Sequence, residues 1–276
     1  MANIQRFTTS ENIEDMEFDF YGTKVACALD DKSIVIFDTT QPEPKIISTL
    51  VGHTAAIWQV KWSHPRFGPV LASCSYDKQV LIWRETSNNN YAIVYSHKFH
   101  TKSVNSICFF PESEGLKLAC GSSDGQISII EYVESTKSWK TTSFNAHPAG
   151  VNTLTVIQNH MKVNIVSGGC DSTVKFHEYI DGEWKCVNQL KDHKDWIRDV
   201  SVTSSNGKLL LATCAQDHMV FIYEVNGTNI KLIDHLPEFK ESCWRVAFNG
   251  DVLAVSLSNN EVEMWKNNDG KWVKEE

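Results

Sequence analysis

The chain has 276 residues, of which 42% are apolar, and carries a formal net charge of -8 with a pI near 5.7. That apolar content supports a real core, in one large domain or two ordinary ones, and excludes disorder as the default state. The acidic balance, without any cluster of Lys and Arg, excludes a nucleic-acid reader, which must neutralise a polyanion.

The opening stretch, MANIQRFTTSENIEDM, has no basic segment followed by an apolar one, and nowhere do about 18 apolar residues run together. The cytosol or nucleus is therefore the expected compartment. The first strand is expected near Ile13 to Phe20, ahead of Asp31 and an apolar run that ends at Phe37. After His53 come "IWQVKW", "PVLASCS", "QVLIW" and "YAIVYS", short alternating or apolar runs that read as four strands, with Ser73, Cys74, Asp77 and Trp83 inside them. Next are His97 and His100 in "SHKFH", followed by Cys120, Asp124-Gly125 and Ile130. A fourth unit holds His147, Ser167, Gly168-Gly169, Asp171 and His177, and a fifth holds His193, Thr213, Asp217 and Tyr223. The last contains Asn259 and Trp265 and ends in "KWVKEE".

These units are one unit repeated. Asp31, Asp77, Asp124, Asp171, Asp217 and Asn259 recur at intervals of 42 to 47 residues, and four of them follow a histidine by 24. Each apolar run closes six residues later, at Phe37, Trp83, Ile130, His177, Tyr223 and Trp265. Asp124-Gly125, Asp181-Gly182, Asn226-Gly227 and Asp269-Gly270 supply tight turns between strand-like runs. In "QVLIW" both Val80/Ile82 and Leu81/Trp83 are apolar, so both faces of the sheet must be covered, as when sheets stack. Helix signals are nearly absent.

Six four-stranded units with His early and Trp late resemble the WD-repeat β-propeller family. The resemblance implies an all-β, six-bladed propeller. It is read as one domain over residues 1–276, with repeats at approximately 1–50, 51–97, 98–144, 145–190, 191–236 and 237–276. It also implies a hydrogen-bonded tetrad inside each blade: His53, Ser73, Asp77 and Trp83 in the second, His147, Ser167 and Asp171 with His177 in the fourth, and His193, Thr213, Asp217 and Tyr223 in the fifth. The third retains His100 and Asp124 beside Cys120 and Ile130, and the first and last lack the histidine. Cys27, Cys74, Cys120 and Cys214 fall at nearly one place in the second strand and are read as core. With eight cysteines and no C-x-x-C pair, free thiols are expected.

Repetition weighs against chemistry. Ser73, His53 and Asp77 have the residue types of a catalytic triad, but nucleophile sites are singular and this set recurs with substitutions that would abolish a reaction. His97 and His100 have metal-like spacing, yet His100 belongs to the repeat and no zinc-spaced thiolate or carboxylate set completes a site. Gly168-Gly169 opens no helix, which removes a phosphate-cradling reading and leaves close blade packing. No catalytic residue, cofactor or metal is expected. Trp62, Trp83 and Trp265 read as core. Trp58, Arg198 and Trp244 align at one position of the first strand, with Arg245 beside Trp244, and form a candidate contact face or a plug for the central channel.

The run "WSHPRFGPVLASCSYDKQVLIWRE" (62 to 85), with "SSDGQISIIEY", "NAHPAGVNT", "GGCDSTVKF", "HKDWIRDVSV" and "CWRVAF", resembles more narrowly the small propeller subunits of the outer COPII vesicle coat, which also serve in the Y-shaped nuclear pore scaffold. Departures are His177, Asn259 and a shortened fourth unit around "VIQNHMKVNI". The resemblance implies an open propeller that accepts an insertion blade from a larger solenoid subunit of the coat or pore, by strand pairing and burial of blade faces. Because "KWVKEE" can serve as the outer strand of the last unit, the two ends are expected not to lock. The docking residues are placed at Ile4, Arg6 and Phe7 and at Lys271, Trp272 and Val273. Membranes would be reached only through the coat. A ubiquitin-ligase substrate receptor is the main alternative. Such propellers carry an arginine three residues beyond the closing position, where this chain has Thr40, Thr86, Val133, Ile180, Asn226 and Asn268.

Overall fold

Alternation of side chains across a pleated strand decides the architecture, because in most of these strands both alternating sets are apolar. The computed structural model describes residues 9, 11–159, 162–205, 207–268 and 270–275. Apart from two single 3-10 turns, Pro65–Phe67 and Glu112–Glu114, the regular elements among them are strands. The chain divides into two compact units, Met1–Ser143 and Phe144–Glu276.

In the first unit, sheet one is β1 (Ile13–Phe18), β2 (Lys24–Leu29), β3 (Ser33–Asp38) and β4 (Lys45–Val51), and sheet two is β5 (Ile57–Trp62), β6 (Val70–Ser75), β7 (Val80–Ser87) and β8 (Asn90–His97). Sheet three is β9 (Val104–Phe109), β10 (Lys117–Ser122), β11 (Gln126–Val133) and β12 (Ser138–Asn145), whose last residues reach the junction. In the second unit, sheet four is β13 (Val151–Asn159), β14 (Lys162–Gly169), β15 (Val174–Ile180) and β16 (Glu183–Leu190). Sheet five is β17 (Ile197–Ser205), β18 (Lys208–Ala215), β19 (Val220–Asn226) and β20 (Asn229–His235), and sheet six is β21 (Cys243–Asn249), β22 (Val252–Leu257), β23 (Val262–Asn268) and β24 (Lys271–Lys274). Every sheet is antiparallel with its strands in chain order, which makes six blades. The fourth unit is short because it lost a loop and no strand: β13 and β14 run to Asn159 and Lys162 where sheets two and three have their 3-10 turns.

The two faces of sheet two, and likewise of sheet five, go to different neighbours. Leu71, Leu81 and Trp83 pack on Ala26, Ala28, Ile34 and Ile36 of sheet one. Residues one position along, Ala72, Cys74, Val80 and Ile82, pack on Val104, Ile107, Leu118 and Ile130 of sheet three. The second unit repeats the scheme, with Val166, Val174 and Phe176 against Ile197, Leu211 and Tyr223, and Ala212, Cys214 and Ile222 against Leu253, Val255 and Trp265. The four aligned cysteines are fully buried. They fall on two registers, since Cys120 faces sheet two while Cys74 faces sheet three.

Between the second and third strands of every sheet the chain turns through a residue with positive φ just after the repeated acid or its replacement: Lys32, Lys78, Gly125, Ser172, His218 and Asn260, with φ from 61° to 89°. Only one of the six is glycine, so the side-chain oxygen before each must hold the turn. Oδ1 of Asp31, Asp77, Asp124, Asp171, Asp217 and Asn259 accepts the backbone N–H two residues on, at 2.9 to 3.3 Å. Asn259 keeps this acceptor, which is why the sixth turn survives the loss of the acid.

Gly168 marks a close approach of sheets four and five, since a Cβ there would lie 2.4 Å from Ile197 Cγ2 of sheet five and 2.9 Å from Thr153 Cγ2. Gly169 would place its Cβ 2.3 Å from the His147 ring. Gly168→Ala should cost about 1–3 kcal/mol in equilibrium denaturation by forcing sheets four and five apart, with the first unit unaffected in hydrogen exchange.

Candidate partner interface

The residues with chemical character sort into braces within sheets, ties between sheets, and exposed faces. In sheet two the Asp77 carboxylate accepts from Thr54 N–H at 2.9 Å and from His53 Nδ1–H at 2.8 Å, which leaves Nε2 to accept from Ser73 Oγ at 2.8 Å. Ser73 in turn accepts the Trp83 indole N–H at 2.9 Å. Burial opposes the Asp77 charge, yet the hydrogen bonds from His53 and Thr54 hold its carboxyl below the usual range. Ser73 is fully buried and both its lone pair and its proton are engaged, so the trio is a brace and offers no accessible nucleophile.

Sheet four builds the same chain through His147, Ser167 and Asp171, and His177 Nε2–H donates to Ser167 at 2.9 Å in place of the indole. Imidazole for indole therefore keeps the donor. In sheet five His193 joins Asp217 to Thr213 as expected. The Tyr223 hydroxyl meets Thr213 and also donates to Asp192 Oδ2 at 2.9 Å.

Sheet three is repaired from outside the motif. Cys120 stands where the serine belongs, but Ser128 is its cross-strand partner on β11 and takes the His100 Nε2 contact at 2.8 Å, while His100 Nδ1 donates to Asp124 at 3.0 Å. Ile130 cannot donate, and His97, the last residue of β8 in sheet two, supplies its Nε2–H to Ser128 at 2.9 Å. The metal-like pair His97 and His100 thus converges on one hydroxyl. Sheet six has no such repair: Val255 occupies the serine register and the buried Trp265 Nε1 has no acceptor among the described residues.

Three inner strands, β1, β5 and β17, are tied forward along the chain by their third residues. Asp15 Oδ2 accepts Val60 N–H at 3.0 Å, Gln59 Oε1 accepts Ile107 N–H at 2.7 Å, and Asp199 Oδ2 accepts Val246 N–H at 3.1 Å. The donors are free to do so because β5, β9 and β21 are edge strands, paired on one side only, so alternate N–H groups point away from the ladder. Sequence reasoning missed Asp15, Gln59 and Asp199. Their shared place in the repeat was the available signal, hidden by the change of residue type.

The structure separates the expected contact residues. Trp58 is half-buried and its indole donates to Ser103 Oγ of the next sheet at 2.9 Å. Arg198 and Trp244 are brought together, the guanidinium 3.7 Å above the indole, with Trp244 still 44% exposed. Arg245 is half-buried and lies in the field of Asp199. Lys271 and Val273 are exposed, but Trp272 is turned inward to 5% exposure and packs at a tilt on Phe248, since alternation on β24 puts it on the face that covers sheet five. Ile4, Arg6 and Phe7 lie outside the described residues.

Two apolar faces stand out at the ends of the repeat series. Opposite its contact with sheet two, sheet one carries the buried cluster Val25, Cys27, Leu29, Val35 and Phe37, with Met16, Phe18 and Ile46 exposed on the same register. Opposite its contact with sheet five, sheet six exposes Val262, Met264 and Val273. In sheets two and five the corresponding faces are covered by a neighbour.

Ser128→Ala should cost about 2 kcal/mol by stranding both imidazoles, and adding Cys120→Ser should recover part of it by restoring a hydroxyl at the usual register; paired denaturation curves check this. Burial, then the neighbouring His100, lowers the His97 pKa to about 4, and burial, then His147 and Lys175, lowers that of His177 to about 3. Since the unfolded value is about 6.5, these neutral rings contribute stability that is complete above pH 6.5 and is lost as pH falls through the folded values. Unfolding free energy should fall by about 3 kcal/mol per ring between pH 6.5 and 4, and His97→Gln, which keeps a donor, should flatten the slope by one proton.

Four segments, residues 44–84, 92–131, 138–178 and 184–224, match the family "WD domain, G-beta repeat", each running from the outer strand of one sheet through the third strand of the next. Similar relatives are "Protein SEC13 homolog" of Dictyostelium discoideum, 41% identical over 94% of this chain and 93% of its own, and "Protein transport protein SEC13 homolog A" of Arabidopsis thaliana, 46% identical over 95% and 94%. "Protein transport protein sec13" of Schizosaccharomyces pombe is 44% identical over 94% of each chain. With six four-stranded blades, three hydrogen-bonded tetrads in the sheets with the repeat histidine and a fourth rebuilt on Ser128, and this likeness along its whole length, the chain belongs to the SEC13 family of WD-repeat β-propellers.

Proposed function

We propose that the chain is a non-catalytic scaffold subunit of the outer COPII coat, acting in transport from the endoplasmic reticulum to the Golgi, and that a larger solenoid subunit completes it by contributing an additional blade. One observation carries the reading: sheet six draws all four of its strands from Cys243–Lys274 and sheet one all of its strands from Ile13–Val51, and each keeps an apolar face, whereas sheets two and five are covered on both faces. Among the described residues no strand from the start of the chain enters sheet six. The names of the relatives, protein transport proteins, support the setting.

The mechanism is burial. A partner blade covers Met16, Phe18 and Ile46 on one face and Val262, Met264 and Val273 on the other, and its own sheet gains the neighbours that a lone blade lacks. Permanent interfaces of this kind bury about 2,000 Å² or more, which stiffens a cage that must bend a membrane. The net charge of -8 suits a subunit that leaves membrane contact to other coat layers. Under the same reading a solenoid scaffold subunit of the nuclear pore uses the same faces, so the chain resides on COPII vesicles and endoplasmic reticulum exit sites in the cytoplasm and at nuclear pores. The Ser, His and Asp sets are consumed in the tetrads, and no reaction is assigned to them.

Capture of the tagged chain from its own cells, followed by mass spectrometry, should recover a large solenoid coat subunit. Met264→Asp and Phe18→Asp, both at exposed positions, should lower that recovery at least tenfold with little change in melting temperature. Recovery unchanged by both substitutions, or recovery of ubiquitin-ligase components alone, would overturn the proposal.

A further inference from the structure

The second residues of the inner strands β5, β13 and β17 also reach forward, and they define what the edge of β21 can offer. Trp58 of β5 donates its indole N–H to Ser103, the residue just before β9. Asn152 of β13 donates Nδ2–H to the carbonyl of Ile197, the first residue of β17, at 2.8 Å. Arg198 of β17 stacks on Trp244 of β21. Third and fifth residues add acceptors for the next strand, Asp15, Gln59 and Asp199 at the third place and Ser201 at the fifth, where its hydroxyl takes Phe248 N–H at 3.1 Å.

In β21 those two places hold Arg245 and Ala247. Arginine has no acceptor and alanine has no polar atom, so a strand laid beside β21 cannot be held through its own N–H groups as β5, β9 and β21 are. Trp244 remains, at the register of Trp58, with one ring face on Arg198, 44% of its surface exposed, and no hydrogen-bond acceptor for its indole among the described residues. At its third place β21 therefore presents a donor where β1, β5 and β17 present acceptors.

We propose that Trp244 anchors a partner strand laid along β21, and that this strand is preceded by a hydroxyl or carboxylate side chain that accepts the indole N–H. The proposal rests on the reading that a larger subunit supplies a blade, and it names the chemistry at one edge of that blade. The forward series of ties argues for such an occupant: it runs from β13 to β17 to β21 without interruption, and Ser103 shows which group satisfies a tryptophan at this register. Trp58 is then a structural tie within the chain, and Trp244 is its intermolecular counterpart.

The test compares Trp58→Phe, Trp244→Phe and Trp244→Ala, each measured for melting temperature of the chain alone and for affinity toward the solenoid coat subunit co-expressed from the same genome. Phenylalanine keeps the ring and removes the donor. Trp58→Phe should lower the melting temperature by a few degrees. Trp244→Phe should leave it unchanged and weaken the complex about 3- to 10-fold, and Trp244→Ala should weaken it about 30-fold or more. An equal loss of melting temperature in Trp58→Phe and Trp244→Phe would place the acceptor within the chain and overturn the proposal. Unchanged affinity in both Trp244 variants while Met264→Asp abolishes binding would also overturn it and leave the scaffold reading standing. Unchanged affinity in all of them would sink both. Self-association lost in Trp244→Ala would make the occupant a second copy and defeat the partner named here.

Discussion

A sheet that is apolar on both faces cannot exist alone in water, and this constraint governs the molecule. In sheet two Leu71, Leu81 and Trp83 go to one neighbour and Ala72, Cys74, Val80 and Ile82 to the other, so this sheet is stable only as a member of a stack. Burial on both sides also removes the loop and helix cover that single-faced sheets use. A repeat series built this way has two ends, and each end has a face with the same composition and no further repeat to cover it. The apolar residues on the outer registers of sheets one and six are the direct result.

The tetrads serve the stack by holding its turns. An aspartate that accepts from two main-chain N–H groups and an imidazole fixes a left-handed residue that the repeat supplies as Lys, Ser or His more often than as Gly. What is preserved between sheets is the hydrogen-bond chain and not the residue list. Imidazole replaces indole in sheet four, and in sheet three both the hydroxyl and the closing donor come from other strands. Sheet six keeps only the turn acceptor, at Asn259, and leaves the Trp265 indole unpaired among the described residues. The end of the series is thus where both the internal brace and the external cover run out, which agrees with a role completed by another chain.

Ties along the inner strands show a second economy. Each receiving strand is a sheet edge whose outward N–H groups have no ladder partner, and an acceptor on a preceding inner strand takes one. Aspartate and glutamine do this equally well because the requirement is an oxygen at a given height and no particular charge. The same tolerance makes the substitution of Arg245 at the last such place informative, since it changes the sign of what the edge can offer.

Much of the fold was legible from spacing. The period of the acids, the 24-residue step from histidine to aspartate and the double apolar alternation of "QVLIW" are local, and they determine strand number, the antiparallel order and the core positions of Trp83, Trp265 and the aligned cysteines. What spacing could not determine is which group from a different strand fills a vacancy: Ser128 and His97 in sheet three, Asp192 for Tyr223, and the inward turn of Trp272 each depend on distances across strands that are unrelated in sequence. The sequence by itself therefore determined a six-fold all-β repeat with buried braces, because hydrophobic period and turn chemistry act between near neighbours. Only the tertiary structure decided which braces are rebuilt, which tryptophan is a tie and which is exposed, because hydrogen bonds are satisfied by whatever donor or acceptor folding brings within about 3 Å.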